Sequence, residues 1–595
     1  MTGALTAAGQ PLRIANCSGF YGDRFSAARE MVEGGPIDFL TGEYLAELTM
    51  LILWKARQTN REAGYAVTFL KQMEDVLGPA LERGIRVVIN AGGLNPGALA
   101  ARLRALIAEL GLRATVAHVE GDDLMPRIEE LQTQGHQLCH LETGRSLREA
   151  EVVPLTANAY LGAWGIVAAL EAGADIVVCP RVTDASLVVG PAAWHFGWVR
   201  DDWDRLAGAV VAGHVIECGP QATGGNYSFF REIADLLRPG FPIAEVYADG
   251  SSVITKHPGS GGAVTVGTVT AQILYEVDGP RYLNPDVVTR FDTIDLSNEG
   301  PDRIRITGAR GEAAPDTAKV SINYVGGYRN TMTFALTGLD IEPKADLARR
   351  QLFAALGGED AFESVDVRLS PTDRPDADSN DAATAFLHVT VKDRDRGKVG
   401  RAFSNRVIEL ALASYPGFYY TTPPSSETTF GVYWPALVPA DAVRQQVVLE
   451  DGRRLEVEPP PVQAVHPDAP IESSLEHDND GWDPVERAPL GVAFGARSGD
   501  KGGNANCGVW ARSQDGFRWL DFHLTVGRFK ELVPEAAQLR VRRYRLPNLP
   551  ALNFVIVGLL GEGVASSVRS DPQAKSLGEY LRSRVVDLPI RLLEG

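Results

Sequence analysis

At 595 residues the chain exceeds what one hydrophobic core supports and is expected to fold as several domains. A composition 45% hydrophobic and 23% charged excludes wholesale disorder. A formal net charge of −18, with a sequence pI near 5.1, argues against the concentrated basic face that nucleic-acid phosphates require.

The N-terminal stretch Met1–Pro11 is small and polar, without the basic and apolar regions of a secretory leader. No apolar run approaches the ~20 residues of a membrane span, so neither secretion nor membrane association is expected. Five cysteines (Cys17, Cys139, Cys179, Cys218, Cys507) form no CxxC pair. They indicate neither a disulfide framework nor a structural zinc site, and a reducing cytoplasmic setting is expected.

In chain order, short apolar runs alternate with helical periods. Strands are predicted at Arg13–Asn16, Ile37–Leu40, Arg86–Asn90, Ala114–Val119 and Asp175–Val178. Helices are predicted at Phe25–Glu33, Tyr44–Thr59, Val67–Arg83, Gly97–Leu110, Ile128–Gln134 and Ala159–Ala172. Apolar runs of this kind, each closed by a turn and followed by a helix, mark βα units on a sheet buried on both faces. The expected class is therefore α/β: an open, mostly parallel, Rossmann-like N-terminal domain over residues 1–262, then α+β domains of ferredoxin-like type. The middle region, 263–448, carries strand-like Lys319–Thr337, Val365–Leu369 and Ala385–Val391, with helices at Ala345–Leu356 and Lys398–Tyr415. Residues 449–486, rich in Asp, Glu, Pro and His, read as an exposed linker. Residues 487–595 form a second α+β unit beginning with a strand at Gly491–Ala496.

The loops closing the N-terminal strands carry the chemistry. Gly19 to Asp23, Gly42-Glu43, Asn90 to Asn95 (with Gly92 and Gly93), Glu120 to Asp123, Glu142 to Gly144 and Arg181 to Ser186 would all lie on one sheet edge, where ligands bind. Any single loop is better explained as a helix cap; six on one edge point to a site among them. Asp122 and Asp123 could give a general base or metal ligand, or simply cap a helix. Arg181 could grip a carboxylate or phosphate while Asp184 orients it or acts as base, the alternative being an internal ion pair. His214, Glu217 and Cys218 could furnish an acid/base pair or metal ligands, although in a strand His214 and Glu217 would face opposite ways. Thr223-Gly224-Gly225-Asn226 could wrap an anion with backbone N–H groups. His257 to Gly262 and Arg497 to Asn506 read as further anion loops, the second offering Ser498, Asp500, Lys501, Asn504 and Asn506. No Walker spacing, well-placed GxGxxG or GxSxG elbow is present.

Ala157-Asn158-Ala159-Tyr160-Leu161-Gly162, the stretch Ala174 to Ser186, Glu217-Cys218-Gly219 through Asn226, and Ser498 to Asn506 resemble the acyclic terpene utilisation A family over nearly the whole chain. The resemblance implies a large N-terminal α/β domain, a C-terminal ferredoxin-like domain, a role in catabolism of branched acyl-CoA compounds, and a place for Asn158 in the binding set. Cys179-Pro180 stands where the family leads one to expect Thr-Gly. The expected function is a lyase or hydratase acting on a hydroxylated or branched carboxylate or a CoA thioester. Asp184 or Glu217 would be the base, with Asp122 or Asp123 as alternatives. Clustered carboxylates with a His could hold a divalent metal such as Mg²⁺ or Zn²⁺. The competing readings are a non-catalytic CoA- or nucleotide-binding subunit and a hydrolase using Cys218 or Ser186. A homodimer or higher oligomer is compatible with this composition.

Overall fold

The computed structural model describes residues 9–466 and 484–593. They divide into two compact units. One comprises the described residues of Met1–Asn323, Tyr433–Val564 and Asp571–Gly595; the other comprises Tyr324–Val432 and Ala565–Ser570.

The first unit is built on an eleven-stranded sheet of described strands. These are Leu12–Asn16 (β1), Phe39–Gly42 (β2), Arg86–Ile89 (β3), Val116–Glu120 (β4), Ile176–Val178 (β5), Pro242–Val246 (β6), Ser252–Lys256 (β7), Asp295–Gly300 (β8), Arg303–Thr307 (β9), Gln446–Val448 (β10) and Arg454–Glu456 (β11). Their order is β8-β9-β7-β6-β1-β2-β3-β5-β4-β10-β11. The five central strands are parallel, and both wings are antiparallel. The α/β class is as expected, but the sheet is mixed, because antiparallel strands can join an edge through a short turn whereas parallel ones need a crossover. The central order, 1-2-3-5-4, also differs from the 3-2-1-4-5-6 of a dinucleotide-binding fold, so the Rossmann-like expectation does not describe this sheet.

Alternation along the central strands sends successive residues to opposite faces. Ala15, Val87, Ile89 and Ile176 face helices Ala27–Glu33, Val67–Glu82 and Pro96–Glu109. Ile14, Val88 and Val177 face helices Trp164–Glu171, Ser186–Phe196 and Trp203–Ile216. Trp203–Ile216 contains Val210, Val211, Val215 and Ile216, which favour strands, yet it is helical. It is buried on nearly every side from Leu206 to Ile216, the environment of a helix that is apolar all round. Within it, a Cβ on Gly208 would come within 2.0 Å of the Gly250 carbonyl oxygen. Gly208→Ala, which gains about 1 kcal/mol in an open helix, should here cost about 1–3 kcal/mol through overpacking; urea unfolding measures the sign directly.

Part of the predicted linker is sheet: β11 pairs with β10 and carries the main sheet as far as Glu456, and Gln463–Ala464 pairs with Ala314–Pro315. Residues 467–483 of the predicted linker lie outside the described residues. The strands at 295–307, assigned from sequence to the middle region, belong to the main sheet. The C-terminal domain is a four-stranded antiparallel sheet in the order Phe494–Lys501, Asn504–Ala511, Ala551–Ile556, Val541–Leu546. A turn over Leu490–Val492 replaces the beginning of the strand predicted from Gly491. Its core joins Phe494, Leu520, Phe529 and Phe554, with the last two rings stacked at 4.4 Å.

In the second unit, Ser364–Ser370, Thr384–Asp393 and the latter part of Thr317–Thr337 form an antiparallel sheet. Helices Ile341–Leu356 and Arg401–Glu409 pack on it through Leu352, Phe353, Phe403 and Val407. The single helix expected over Lys398–Tyr415 is instead broken at Gly400 into Arg396–Val399 and Arg401–Glu409. Among the described residues, no helix is long and apolar enough to cross a membrane.

Candidate active site

The carboxyl ends of the central strands converge. Past β1, Asn16 donates through Nδ2 to the carbonyls of Ile216 and Glu217, the latter at 2.9 Å. Its Oδ1 accepts from the Ser18 amide at 2.8 Å. Past β2, Glu43 is buried; its Oε1 accepts from the Leu45 amide at 2.7 Å, and its Oε2 accepts from Asn90 Nδ2. Asn90, past β3 and fully buried, accepts through Oδ1 from the Tyr44 amide at 2.8 Å. Asn90 therefore orients Glu43.

Past β5, Arg181 carries a buried guanidinium. Nη1 donates to the Leu45 carbonyl at 3.0 Å, lies 3.4 Å from Asp184 Oδ1 and 3.8 Å from Glu43 Oε1, and the group stacks 4.4 Å over Tyr160. Its backbone N–H reaches Asp122 Oδ2 at 3.3 Å. Cys179 continues the strand pairing, donating to the Ile89 carbonyl at 2.7 Å and accepting from the Gly92 amide at 3.0 Å.

His214 and Glu217 were expected on opposite faces of a strand. Because Trp203–Ile216 is a helix that ends at Glu217, they stand three residues apart on one helical face. His214 Nδ1 lies 3.1 Å from Glu217 Oε1, in an alignment outside hydrogen-bond geometry. The His214 ring packs near Tyr282 and Phe291, at 5.1 and 5.5 Å. Burial lowers its pKa to about 4 and leaves it neutral.

Four carboxyl groups, Glu43, Asp184, Glu217 and Glu276, share this region. Burial raises Glu217 well above the usual carboxylate range; the charges of Asp184 and Glu276 raise it further, against Lys501 and Arg181. Glu43 is likewise raised, first by burial and then by Asp184. Both are held well above the usual carboxylate range beside Asp184, the most exposed of the three, with its side chain 29% accessible.

Lys501 comes from the C-terminal domain. The segment Ser498 to Asn506, read from sequence as a loop, is instead a β-hairpin in which Ser498–Lys501 pairs residue for residue with Asn504–Cys507. The ladder uses backbone groups that an anion cradle would have needed. Ser498 accepts from the Gly578 amide at 2.8 Å, Asp500 sits opposite Ala505, and Asn504 donates to Glu142 at 2.7 Å. Lys501 Nζ reaches the Glu276 carbonyl at 2.9 Å. Asn506, fully buried, accepts from the Glu276 amide at 2.9 Å and donates to the Leu274 carbonyl at 2.8 Å, while Asn553 donates to the Val277 carbonyl at 2.9 Å. This clamp holds Glu276 at φ 56, a left-handed conformation that an ordinary side chain adopts only when its surroundings enforce it.

Other predicted residues have roles in the fold. Thr223 gives its hydroxyl to the Gly240 and Pro220 carbonyls at 2.6 and 3.0 Å. A Cβ on Gly224 or Gly225 would strike Ile233 or the Pro220 carbonyl, so this turn is packed rather than open. Asn226 has φ 59, and its carbonyl accepts from Arg497 Nη1 at 3.4 Å. Gly93 is closed in by Leu53. His257 reaches the Met31 carbonyl at 3.0 Å, and Gly262 is closed in by the Thr223 carbonyl, which makes that segment a packing turn. Asp123 caps the short turn at Met125 through a 3.0 Å bond. Among the described residues, no group of three or more His, Cys, Asp or Glu is placed to hold a metal ion.

Asp122 is buried, accepts from Asn158 Nδ2 at 2.7 Å, and is pushed by burial to a pKa of about 7. A carboxyl raised on folding stabilises the native state fully below its unfolded value, near 3.8, and loses that contribution as pH rises through about 7. Asp122→Asn should therefore remove a fall in stability of up to about 4 kcal/mol between those pH values. Parallel pH–stability curves for the two proteins would contradict this.

No curated protein and no solved structure matches the chain. The family model described as "AtuA ferredoxin-like domain" matches residues 490–587. The model described as "Acyclic terpene utilisation family protein AtuA" matches residues 12–449, most of the chain and all five central strand ends of the candidate site. The chain belongs to the acyclic terpene utilisation family AtuA.

Proposed function

We propose that the protein is an enzyme of lyase or hydratase type, acting on a branched or hydroxylated carboxylate or its CoA thioester by carboxylate acid/base chemistry. The observation that carries this reading is Glu217, a buried carboxyl raised well above the usual carboxylate range by burial and then by the charge of Asp184. Two neighbouring carboxyls driven apart by environment supply an acid and a base at one pH. Asp184 takes the proton from the carbon beside the carbonyl. Glu217 delivers its proton to the departing hydroxyl, so water leaves as the double bond forms; hydration runs the same steps backwards. Lys501 and Arg181 supply the positive field that opposes enolate-like charge. His214, neutral and packed against the Tyr282 and Phe291 rings, stands beside Glu217.

Against the hydrolase reading, burial and the charges of Glu217 and Glu276 hold the Cys218 thiol protonated, and the other candidate nucleophile, Ser186, is buried with its hydroxyl bonded to that of Thr183 at 2.6 Å. The reading as a CoA- or nucleotide-binding subunit rests on an anion loop at 497–506, whose backbone is instead paired in a hairpin. Incubating the protein with 3-hydroxyacyl-CoA thioesters and the matching free acids, in deuterated water, tests the proposal. Dehydration with exchange at the carbon beside the carbonyl is expected, and lost in Glu217→Gln. Tight binding of these compounds without water loss or exchange would overturn it in favour of the binding subunit.

A further inference from the structure

Arg181 spends its guanidinium on Leu45, Asp184, Glu43 and Tyr160. The group that grips a substrate anion must therefore be sought elsewhere, and the C-terminal domain offers one. Arg497, 7% exposed, lies 4.5 Å over the Tyr275 ring. Its Nη1 makes one long bond, 3.4 Å to the Asn226 carbonyl, and its buried Nη2 finds no hydrogen-bond partner among the described residues. A buried guanidinium nitrogen without an acceptor is costly, and a bidentate anion is the partner that fits its geometry. On the same ring, exposed Lys575 donates from Nζ to the Tyr275 hydroxyl at 2.6 Å. Lys575 is also one of the charges acting on Cys218, next to Glu217, and Tyr275 precedes Glu276 in the chain.

We propose that Arg497 and Lys575, both set against the Tyr275 ring, form a subsite for an anionic group of the substrate, a carboxylate or a phosphate. This rests on the acid/base reading of the neighbouring residues, but it is measured by binding and not by turnover. Two cations against one ring suit a ligand carrying a charge apart from its reacting carbon, and that charge comes either from a second carboxylate or from the phosphates of CoA.

Isothermal titration with glutarate, inorganic phosphate and CoA separates the sources. Wild type is expected to bind glutarate if a carboxylate is the ligand group, or phosphate and CoA if a phosphate is. Arg497→Gln should weaken that probe more than tenfold, Lys575→Ala several-fold, and Arg497→Lys less than Arg497→Gln. Failure of wild type to bind any of the three probes, or wild-type affinity in the Arg497→Gln protein, overturns the proposal. Should Arg497→Gln fail to fold, Lys575→Ala decides alone, because its side chain is exposed, and unchanged affinity there overturns it equally.

Discussion

Asp184→Asn is expected to lower kcat by about 10²–10⁴-fold, the usual contribution of a positioned acid or base, on whichever thioester or free acid the exchange assay identifies. The substitution keeps the size and one acceptor oxygen, so the contact to Arg181 can persist. It removes the negative charge that raises both Glu43 and Glu217. Their pKa values should therefore fall, and the activity remaining in the variant should decline at lower pH than in wild type. A kcat within a few-fold of wild type would remove Asp184 from the chemistry. A low kcat with an unshifted pH profile would mean that Asp184 acts without the coupling described here.

The largest expected effect on stability lies in the C-terminal domain. Asp521, 3% exposed on helix Gln514–His523, accepts from Arg543 Nη2 at 2.6 Å and from Arg545 Nη2 at 2.6 Å. Arg543 is 2% exposed and also donates to the Asp521 and Leu524 carbonyls at 2.7 and 3.1 Å. Asp521→Ala leaves two guanidinium groups around an uncompensated site, one of them fully enclosed. Removing one partner of such a buried pair costs about 3–5 kcal/mol, read from the urea midpoint of the full chain. A loss below about 1 kcal/mol would show that Arg543 is neutralised by its carbonyl bonds alone. Because the clamp on Glu276 is made by Asn506 and Asn553 of the same sheet, this variant should also lose activity as the sheet loosens.

The central strands and their turns were legible because each parallel strand is an unbroken apolar run closed by a turn, and the convergence of their ends follows from the fold rule. Asp184 could be nominated on that ground, whereas Glu217 and Lys501 stood out only as members of dense polar stretches. The relation of His214 to Glu217 could not: a Val- and Gly-rich stretch reads as strand, and only burial on nearly every side makes it a helix that brings the two onto one face. Glu276, Tyr275 and Lys575 left no local signal, and Arg497 stood out only as the first residue of an expected anion loop. They lie on separate segments brought together by the C-terminal sheet, and the left-handed backbone at Glu276 depends on side chains more than two hundred residues away. The same long-range contacts explain why the 498–506 glycines suggested an anion loop while the chain forms a hairpin.

The most direct test of the central claim reads the protonation state of Glu217 without any substrate. Infrared difference spectra of ¹³C-glutamate-labelled protein at neutral pH, wild type minus Glu217→Gln, should show a protonated carboxyl band that titrates away only well above the usual carboxylate range. Glu43→Gln should remove a separate band and leave that of Glu217 in place. A wild-type spectrum in which Glu217 appears as carboxylate at neutral pH would contradict the account.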